Sequence, residues 1–280
     1  MERVIRRPAH AKLNVFLRVL GRRADGYHEI ESLIVPVSLA DDVTVRLDPE
    51  LRLSVRGELA DAVPLDEDNL VVRAARALAA AGGVDAGADI ELEKRIPVAA
   101  GLGGGSADAA AALLALDELW GCGLDGEALL ALGATVGSDV PALLHGGAVI
   151  VRGRGEIVEP ASVGPAWWVL VPMPFGVPVG DSFAWWEASS GEPGAEFLPI
   201  LERSGGRLER MGDALFNVLE AGVAARHGEV RDAMGQLREF GALGAVMCGS
   251  GPTVAGLAAT EDDAHRIARA IPGSIPVSTP

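Results

Sequence analysis

Residues 11–20, AKLNVFLRVL, alternate: Leu13, Val15, Leu17 and Val19 fall on one side of an extended chain, and Lys12, Asn14, Phe16 and Arg18 on the other. This period of two predicts a half-buried strand whose second face meets solvent. An Asp25-Gly26 turn signal leads into a second strand near 28–38, and 42–56 carries two further short strand patterns. The chain is therefore expected to open as mostly antiparallel sheet. The period then changes. Asp68-Asn69 starts a helical pattern that closes at Gly82-Gly83, and ADIELEKRI returns to strand. Helices are expected near 106–120 and 125–136, with another starting at Pro141, and GGAVIVRGRGEIVEP reads as a closing hairpin around Gly153 and Gly155. Together these make a first α+β domain at residues 1–160.

Past Pro160 the order is a strand (WWVLVP), a helical stretch from 181, helices near 213–225 and 229–240, strands at 243–248 and 252–258, a helix at 261–270 and a last strand at 274–278. Without its extra helices this is β-α-β-β-α-β, the ferredoxin-like order, assigned to a second domain at 161–280. The loop-rich segment GEPGAEFLPILERSGGR is a connector or insertion within it.

Composition narrows the function classes. The chain has 280 residues, of which 49% are hydrophobic, enough to bury a sizeable core. Its 2 cysteines, Cys122 and Cys248, make neither a disulfide framework nor a thiolate metal site, and none of its 5 histidines has metal-ligand spacing. The N-terminus lacks the apolar core of a signal peptide, and no window approaches the ~20 apolar residues of a membrane span. A cytoplasmic protein is expected. The net charge of −15 disfavours nucleic acid and anionic membrane as partners, so an anionic small molecule must be held by local features.

The strongest local feature is GLGGGS at 101–106, a strand-to-helix turn. It is not a Walker A loop, because Gly105 is followed by Ser106 and Ala107 with no lysine. It is not a dinucleotide fingerprint, because Ser106 stands where Gly or Ala is needed and the context is not a parallel βαβ unit. What remains is a loop free of side chains feeding a helix N-terminus, a general polyphosphate site, or else a tight turn that merely permits close packing. Ser106 is the expected cap of that helix, and Asp108 suits its positive end. Asp139 lies in VGSDVPALL. Pro141 biases Val140 toward extended geometry, which puts Asp139 one step outside the helix cap, where it can serve as a general base or meet a metal; capping is the plainer alternative. Lys12 and Asn14 read most simply as a solvated sheet face. Tyr27 and His28 either stack on a nucleobase or pin the turn. The turn CGSGPT at 248–253 is a plain hairpin, or a second glycine-lined surface facing the first across a cleft.

Several motifs stand in one order: PAHAKLNVFLRVLGRRADGYHEIESL, EDNLVVRAA, IPVAAGLGGGSADAAAAL, LGATVGSDVPALLHGGA and MCGSGPTV. Together they resemble the GHMP family of small-molecule kinases over nearly the whole chain. GRRADGYHE and the four-glycine loop resemble the branch whose alcohol substrate carries a cytidine diphosphate. The resemblance implies an N-terminal domain like the second domain of ribosomal protein S5 joined to a ferredoxin-like C-terminal domain. It implies that ATP rests on the loop Pro97, Val98, Ala99, Ala100, Gly101, Leu102, Gly103, Gly104, Gly105, Ser106 and Ala107, with Asn69 and Lys94 near the nucleotide. Asn14, Tyr27 and His28 would bind the acceptor substrate, the last two at its cytidine end. Lys12 and Asp139 would be catalytic in transferring the γ-phosphoryl group to an alcohol. Mg²⁺ would accompany ATP, with Asp139 and Ser106 as the available ligand candidates. A monomer or weak homodimer is expected.

Two stretches depart from the family pattern. Pro178-Val179 stands where a Ser-Thr pair is usual, and Phe216-Asn217-Val218-Leu219-Glu220 replaces an Asn-Asp-x-Glu-like stretch and receives no role. The alternatives are a GHMP kinase for mevalonate or homoserine, an S5-like RNA-binding module, which the net charge opposes, and a dinucleotide oxidoreductase, which the failed fingerprint opposes.

Overall fold

The computed structural model describes residues 3–85, 87–189 and 191–279. The chain forms two compact units. One comprises Met1–Ala11, Leu39–Val98 and Gly103–Gly146, the other Lys12–Ser38, Ala99–Leu102 and Gly147–Pro280. The two longest strands, β1 (Val4–Arg22) and β2 (His28–Asp48), each contribute a part to both units. The pattern at 42–56, expected as two short strands, is the far end of β2 followed by β3 (Leu51–Arg56).

In the first unit that end of β2 pairs antiparallel with β4 (Gly87–Glu93), in a register that sets Val43 opposite Leu92 and Val45 opposite Ile90. β3 lies parallel along the other edge of β4. Helices α1 (Leu70–Gly82), α2 (Gly104–Trp120), α3 (Gly126–Val136) and α4 (Val140–His145) complete the unit. The Asn69 side chain caps α1 by accepting from the Val71 N–H, and Gly83 closes it in the left-handed region. The alanine run of α2 has a physical purpose, since methyl side chains let the helix be buried on nearly every side among Leu78, Ile90 and Leu92.

In the second unit the near part of β2 pairs antiparallel with β5 (Val149–Gly153), which turns into β6 (Ile157–Pro160) as the hairpin pattern predicts. Then come β7 (Trp167–Val171), α5 (Val179–Ser189), α6 (Leu198–Ser204), β8 (Phe216–Asn217), α7 (Glu220–Ala224), α8 (Gly228–Glu239), β9 (Gly244–Met247), β10 (Val254–Ala258), α9 (Glu261–Ala270) and β11 (Ile275–Ser278). The four-stranded sheet has the order β11-β7-β10-β9, every neighbour antiparallel. Taken with α5/α8 and α9, this is the ferredoxin-like arrangement expected from element order. The strands read as unbroken apolar runs because buried Val230, Leu237 and Ile267 of the helices pack on the sheet.

The expectation of a solvated face on β1 is overturned. Lys12 is 4% exposed, Asn14 3% and Phe16 0%. Phe16 stacks on Phe197 with ring centroids 3.5 Å apart and meets Phe216 at 5.8 Å. The connector thus docks through Phe197, and β8 runs parallel to β1 with Phe216 opposite Phe16. The helix expected over 213–225 is confined to Glu220–Ala224, because its first half supplies the strand that covers this face.

Candidate functional site

The first unit holds one half of the sequence-derived candidates. α2 begins at Gly104 with Gly103 as its cap, in the left-handed region at φ 69°. Ser106 is therefore inside the first turn and is not the cap, and no side chain caps this end. The first N–H groups of a helix lack intrahelical acceptors, and here they carry no side-chain substitute either, so this end can receive an anion. The N-terminus of α1 is beside it. A Cβ placed on Gly105 would lie 3.9 Å from Leu70 Cδ1, and one on Gly137 would lie 3.6 Å from the same atom and 3.8 Å from Ser106 Oγ. Asn69 is spent locally, for it caps α1 and donates to the Pro64 carbonyl at 2.7 Å. Asp139 is two residues beyond Gly137. It occupies the N-cap position of α4, one place nearer the helix than Pro141 suggested, yet its carboxylate makes no capping hydrogen bond. A half-buried carboxylate at a helix start, not consumed by the cap, is suited to take a proton from a substrate.

Lys94 lies under the same loop. A Cβ on Gly104 would be 3.4 Å from its Nζ. The ammonium is buried and held by two buried carboxylates: Asp41, and Asp108 at 2.8 Å. Asp41 also accepts the backbone N–H groups of Arg95 and Ile96, which anchors the start of the glycine loop. One cation against two carboxylates leaves a net negative charge in a buried region. Burial, then the neighbouring Asp41, pushes the Asp108 carboxyl up to about 7 against the pull of Lys94, and its Oδ1 has no hydrogen-bond partner among the described residues. Because the folded-state value lies above the unfolded one, this group favours the fold at low pH. Its contribution is lost as pH rises from the ordinary carboxylate range through about 7. Asp108→Asn should therefore flatten the fall in stability between pH 5 and 8, read from urea midpoints at the two pH values. An unchanged slope would show that Asp108 is ionised throughout.

The second unit holds the other half. Lys12 Nζ donates to Asn14 Oδ1 at 2.6 Å and to the Gly101 carbonyl at 3.0 Å, while the Lys12 N–H donates to the Leu102 carbonyl. Asn14 in turn donates to Ser32 Oγ at 2.8 Å, which donates to the Phe16 carbonyl. The first half of the glycine loop and the GSG turn are in direct contact, not across a cleft. A Cβ on Gly101 would strike the Cys248 carbonyl oxygen and come within 3.0 Å of Gly251 N and O. With φ at +78°, Gly101 is the one residue type that fits. Gly101→Ala should cost at least about 1–2 kcal/mol from the left-handed backbone alone, with activity falling alongside Tm. Unchanged Tm and rate would mean that the turn yields freely.

Tyr27 is 51% exposed, with the Arg154 guanidinium 5.0 Å from its ring centroid. His28 stacks on Phe183 at 4.5 Å, meets Trp186 edge-on and bonds Glu187 at 2.9 Å. The hydrogen bond from His28 holds the Glu187 carboxyl below its ordinary range. The exposed Tyr27 ring is a surface on which a base could stack, whereas His28 is already stacked on Phe183. The cysteines offer no nucleophile, since burial raises both thiols above the ordinary value.

Sequence reasoning missed Asp41, Asn217 and Glu220. Asp41 reads as the first of the adjacent acidic pair Asp41-Asp42, and only its zero exposure reveals its task. Asn217 stands in the stretch without an assigned role, which reads as helix by local pattern, and only the structure shows it as a buried amide in a short strand.

Comparisons with known proteins follow the same outline. The family model "GHMP kinases N terminal domain" matches residues 69–147, and "GHMP kinases C terminal" matches 197–275. A 4-diphosphocytidyl-2-C-methyl-D-erythritol kinase of Pelotomaculum thermopropionicum is 44% identical, covering 95% of this chain and 93% of that protein. One of Shouchella clausii is 40% identical over 95% of this chain and 89% of its own. A crystal structure of 4-(cytidine 5'-diphospho)-2C-methyl-D-erythritol kinase superposes with a TM-score of 0.81 at 35% identity, covering 98% of both chains. Homoserine kinase from Cytophaga hutchinsonii, at 22% identity and a TM-score of 0.72, shares the fold.

Proposed function

The chain belongs to the GHMP kinases, and from that premise we propose that it transfers the γ-phosphoryl group of ATP to the 2-hydroxyl of 4-diphosphocytidyl-2-C-methyl-D-erythritol, releasing ADP, in the non-mevalonate route to isopentenyl diphosphate. The observation that carries the choice of acceptor is the likeness, over nearly the full length, to enzymes of that name. Kinases of homoserine and mevalonate share only the fold with this chain. We keep the division at residue 160 as that of a nucleotide-binding and catalytic part from a ferredoxin-like part.

In this reading the uncapped start of α2 and the loop Pro97–Ala107 hold the triphosphate through backbone N–H groups, with Asn69 and Lys94 near the nucleotide. Lys94, bound to two carboxylates, supports Gly104 from beneath and is a poor candidate for a mobile phosphate ligand. Asp139 accepts the proton of the acceptor hydroxyl as the new O–P bond forms and the bond to the β-phosphate oxygen breaks. Lys12 stabilises the negative charge that develops. Transfer of this kind has a loose transition state, so most of the acceleration comes from alignment and charge neutralisation. Asn14 orients Lys12 and contacts the acceptor, while Tyr27 and His28 receive its cytosine.

Mg²⁺ belongs to the same reading. Among the described residues no group of three His, Cys, Asp or Glu side chains could hold a metal unaided. A cation carried in on the nucleotide phosphates would have the Ser106 hydroxyl or the Asp139 carboxylate as candidate protein ligands and would supply charge neutralisation. The protein is assigned to a reducing cytoplasm as a monomer or weak homodimer; its cysteines are both free, and among the described residues no helix is long and apolar enough to cross a membrane.

The deciding experiment is ADP release from purified protein with 4-diphosphocytidyl-2-C-methyl-D-erythritol, mevalonate or homoserine as acceptor. Release with the first alone is expected. Release with either of the others in its place would move the protein to another branch.

A further inference from the structure

We infer that Asn217 is a positioning residue for Lys12, acting through the backbone of Gly249; this rests on the role proposed above for Lys12. Asn217 is buried at the end of β8, and each of its amide atoms is committed. Nδ2 donates to the carbonyls of Met247, at 2.8 Å, and Gly249, at 2.6 Å, while Oδ1 accepts the Leu219 N–H at 2.9 Å. Glu220, from the same short stretch, accepts the Met247 N–H at 3.0 Å. The segment Met247–Gly249 is thus held at both carbonyls and at an N–H by two side chains three residues apart.

What that segment touches gives the clamp its meaning. Gly249 adopts φ +53°, and a Cβ there would come within 2.9 Å of Lys12 Nζ, 2.9 Å of the Gly101 carbonyl oxygen and 3.2 Å of Asn14 Oδ1. Both of those oxygens accept from the Lys12 ammonium. The backbone of Gly249 therefore lies against the ammonium and these two oxygens. No side chain fits between the Gly249 backbone and this group, so the position of that peptide sets the room left around Nζ, and Asn217 sets where that peptide lies. The GSG turn and the stretch Asn217–Glu220, both without a firm assignment from sequence, become one device.

A brace of this kind differs from a merely structural one in what its loss does. Asn217→Ala and Asn217→Asp should each lower kcat about 10- to 100-fold, the scale expected when a reacting group is misplaced, with KM for ATP and acceptor changing less than about threefold. The aspartate variant keeps the size and the acceptor for Leu219 N–H but loses both donors, so it isolates the clamp on Gly249. In a Lys12→Met background the same substitutions should cost less than about threefold more, because their effect passes through the absent ammonium. Ile267→Ala, a core truncation in α9, serves as the stability control. It should lower Tm while leaving kcat at 25 °C intact. The inference is overturned if Asn217→Asp retains wild-type kcat, or if the loss is equally large with and without Lys12. Absence of acceptor-dependent ADP release from the wild type defeats the functional reading itself, and full activity of Lys12→Met defeats the role of Lys12. Either result removes this inference too, and each is seen before any Asn217 variant is measured.

Discussion

Replacing Asp139 by asparagine is expected to lower kcat about 10²–10⁴-fold while leaving the affinity for ATP nearly intact. The amide has the shape of the carboxylate and cannot take up the proton that leaves the acceptor hydroxyl. The substitution is a clean probe because of where the residue stands. Asp139 occupies the N-cap position of α4 without making a capping bond, so the usual penalty of about 1 kcal/mol for a lost cap does not arise, and asparagine is itself a good cap. No stability should therefore be lost through the cap while turnover collapses. Because the transition state is loose and proton transfer is late, a loss at the lower end of the range would still fit a base. Steady-state ADP release together with ATP binding measured by calorimetry separates the two effects. Full turnover in the variant would remove Asp139 from the chemistry.

The second large effect concerns stability. Lys94→Met should destabilise the protein by about 3–5 kcal/mol, the range for removing one partner of a buried ion pair. Methionine fills the space of the lysine stem but leaves Asp41 and Asp108 facing each other with no cation. Asp41 also holds the Arg95 and Ile96 N–H groups, so the strain reaches the start of the glycine loop. The loss should shrink as pH is lowered from 8 to 5, since Asp108, whose carboxyl in the intact protein is already pushed up to about 7, can then be neutralised by a proton. Urea denaturation at the two pH values tests both statements. A loss below 1 kcal/mol at pH 8 would mean that water reaches the carboxylates.

The element order, the ferredoxin-like half and most helix ends were legible in the chain because the signals are local. Periods of two and 3.6 residues, Asn69 as a cap and glycine as a stop all act within a few residues of themselves. The glycine loop was legible as a place without side chains, and the aromatic residues Tyr27 and His28 as candidates at a turn. The misreadings share one cause. Ser106 was read as a cap because a serine follows the glycines, whereas Gly103 takes that place in the left-handed region, available at little cost only to a residue without a Cβ. Residues 213–225 read as a helix by local pattern, yet Phe216 and Asn217 extend along β1 instead. Tertiary pairing outweighs a propensity worth a few tenths of a kcal/mol per residue.

The sequence by itself determined what each segment is: which stretches extend, which coil, where the backbone is bare, and, through the order of its motifs, which family the chain joins. Only the tertiary structure decided what those segments are used for. Alternation along 11–20 marks one face of β1 as buried, but it cannot say that Phe197 and Phe216 close the other. That closure turns Lys12 and Asn14 from surface residues into buried, hydrogen-bonded ones. Likewise Lys94 reads as one cation among 24 lysines and arginines until Asp41 and Asp108 are found around it. The physical reason is the same in both cases. The cost of burying a polar or charged group depends on partners that folding brings from elsewhere in the chain, and periodicity along the backbone carries no record of them.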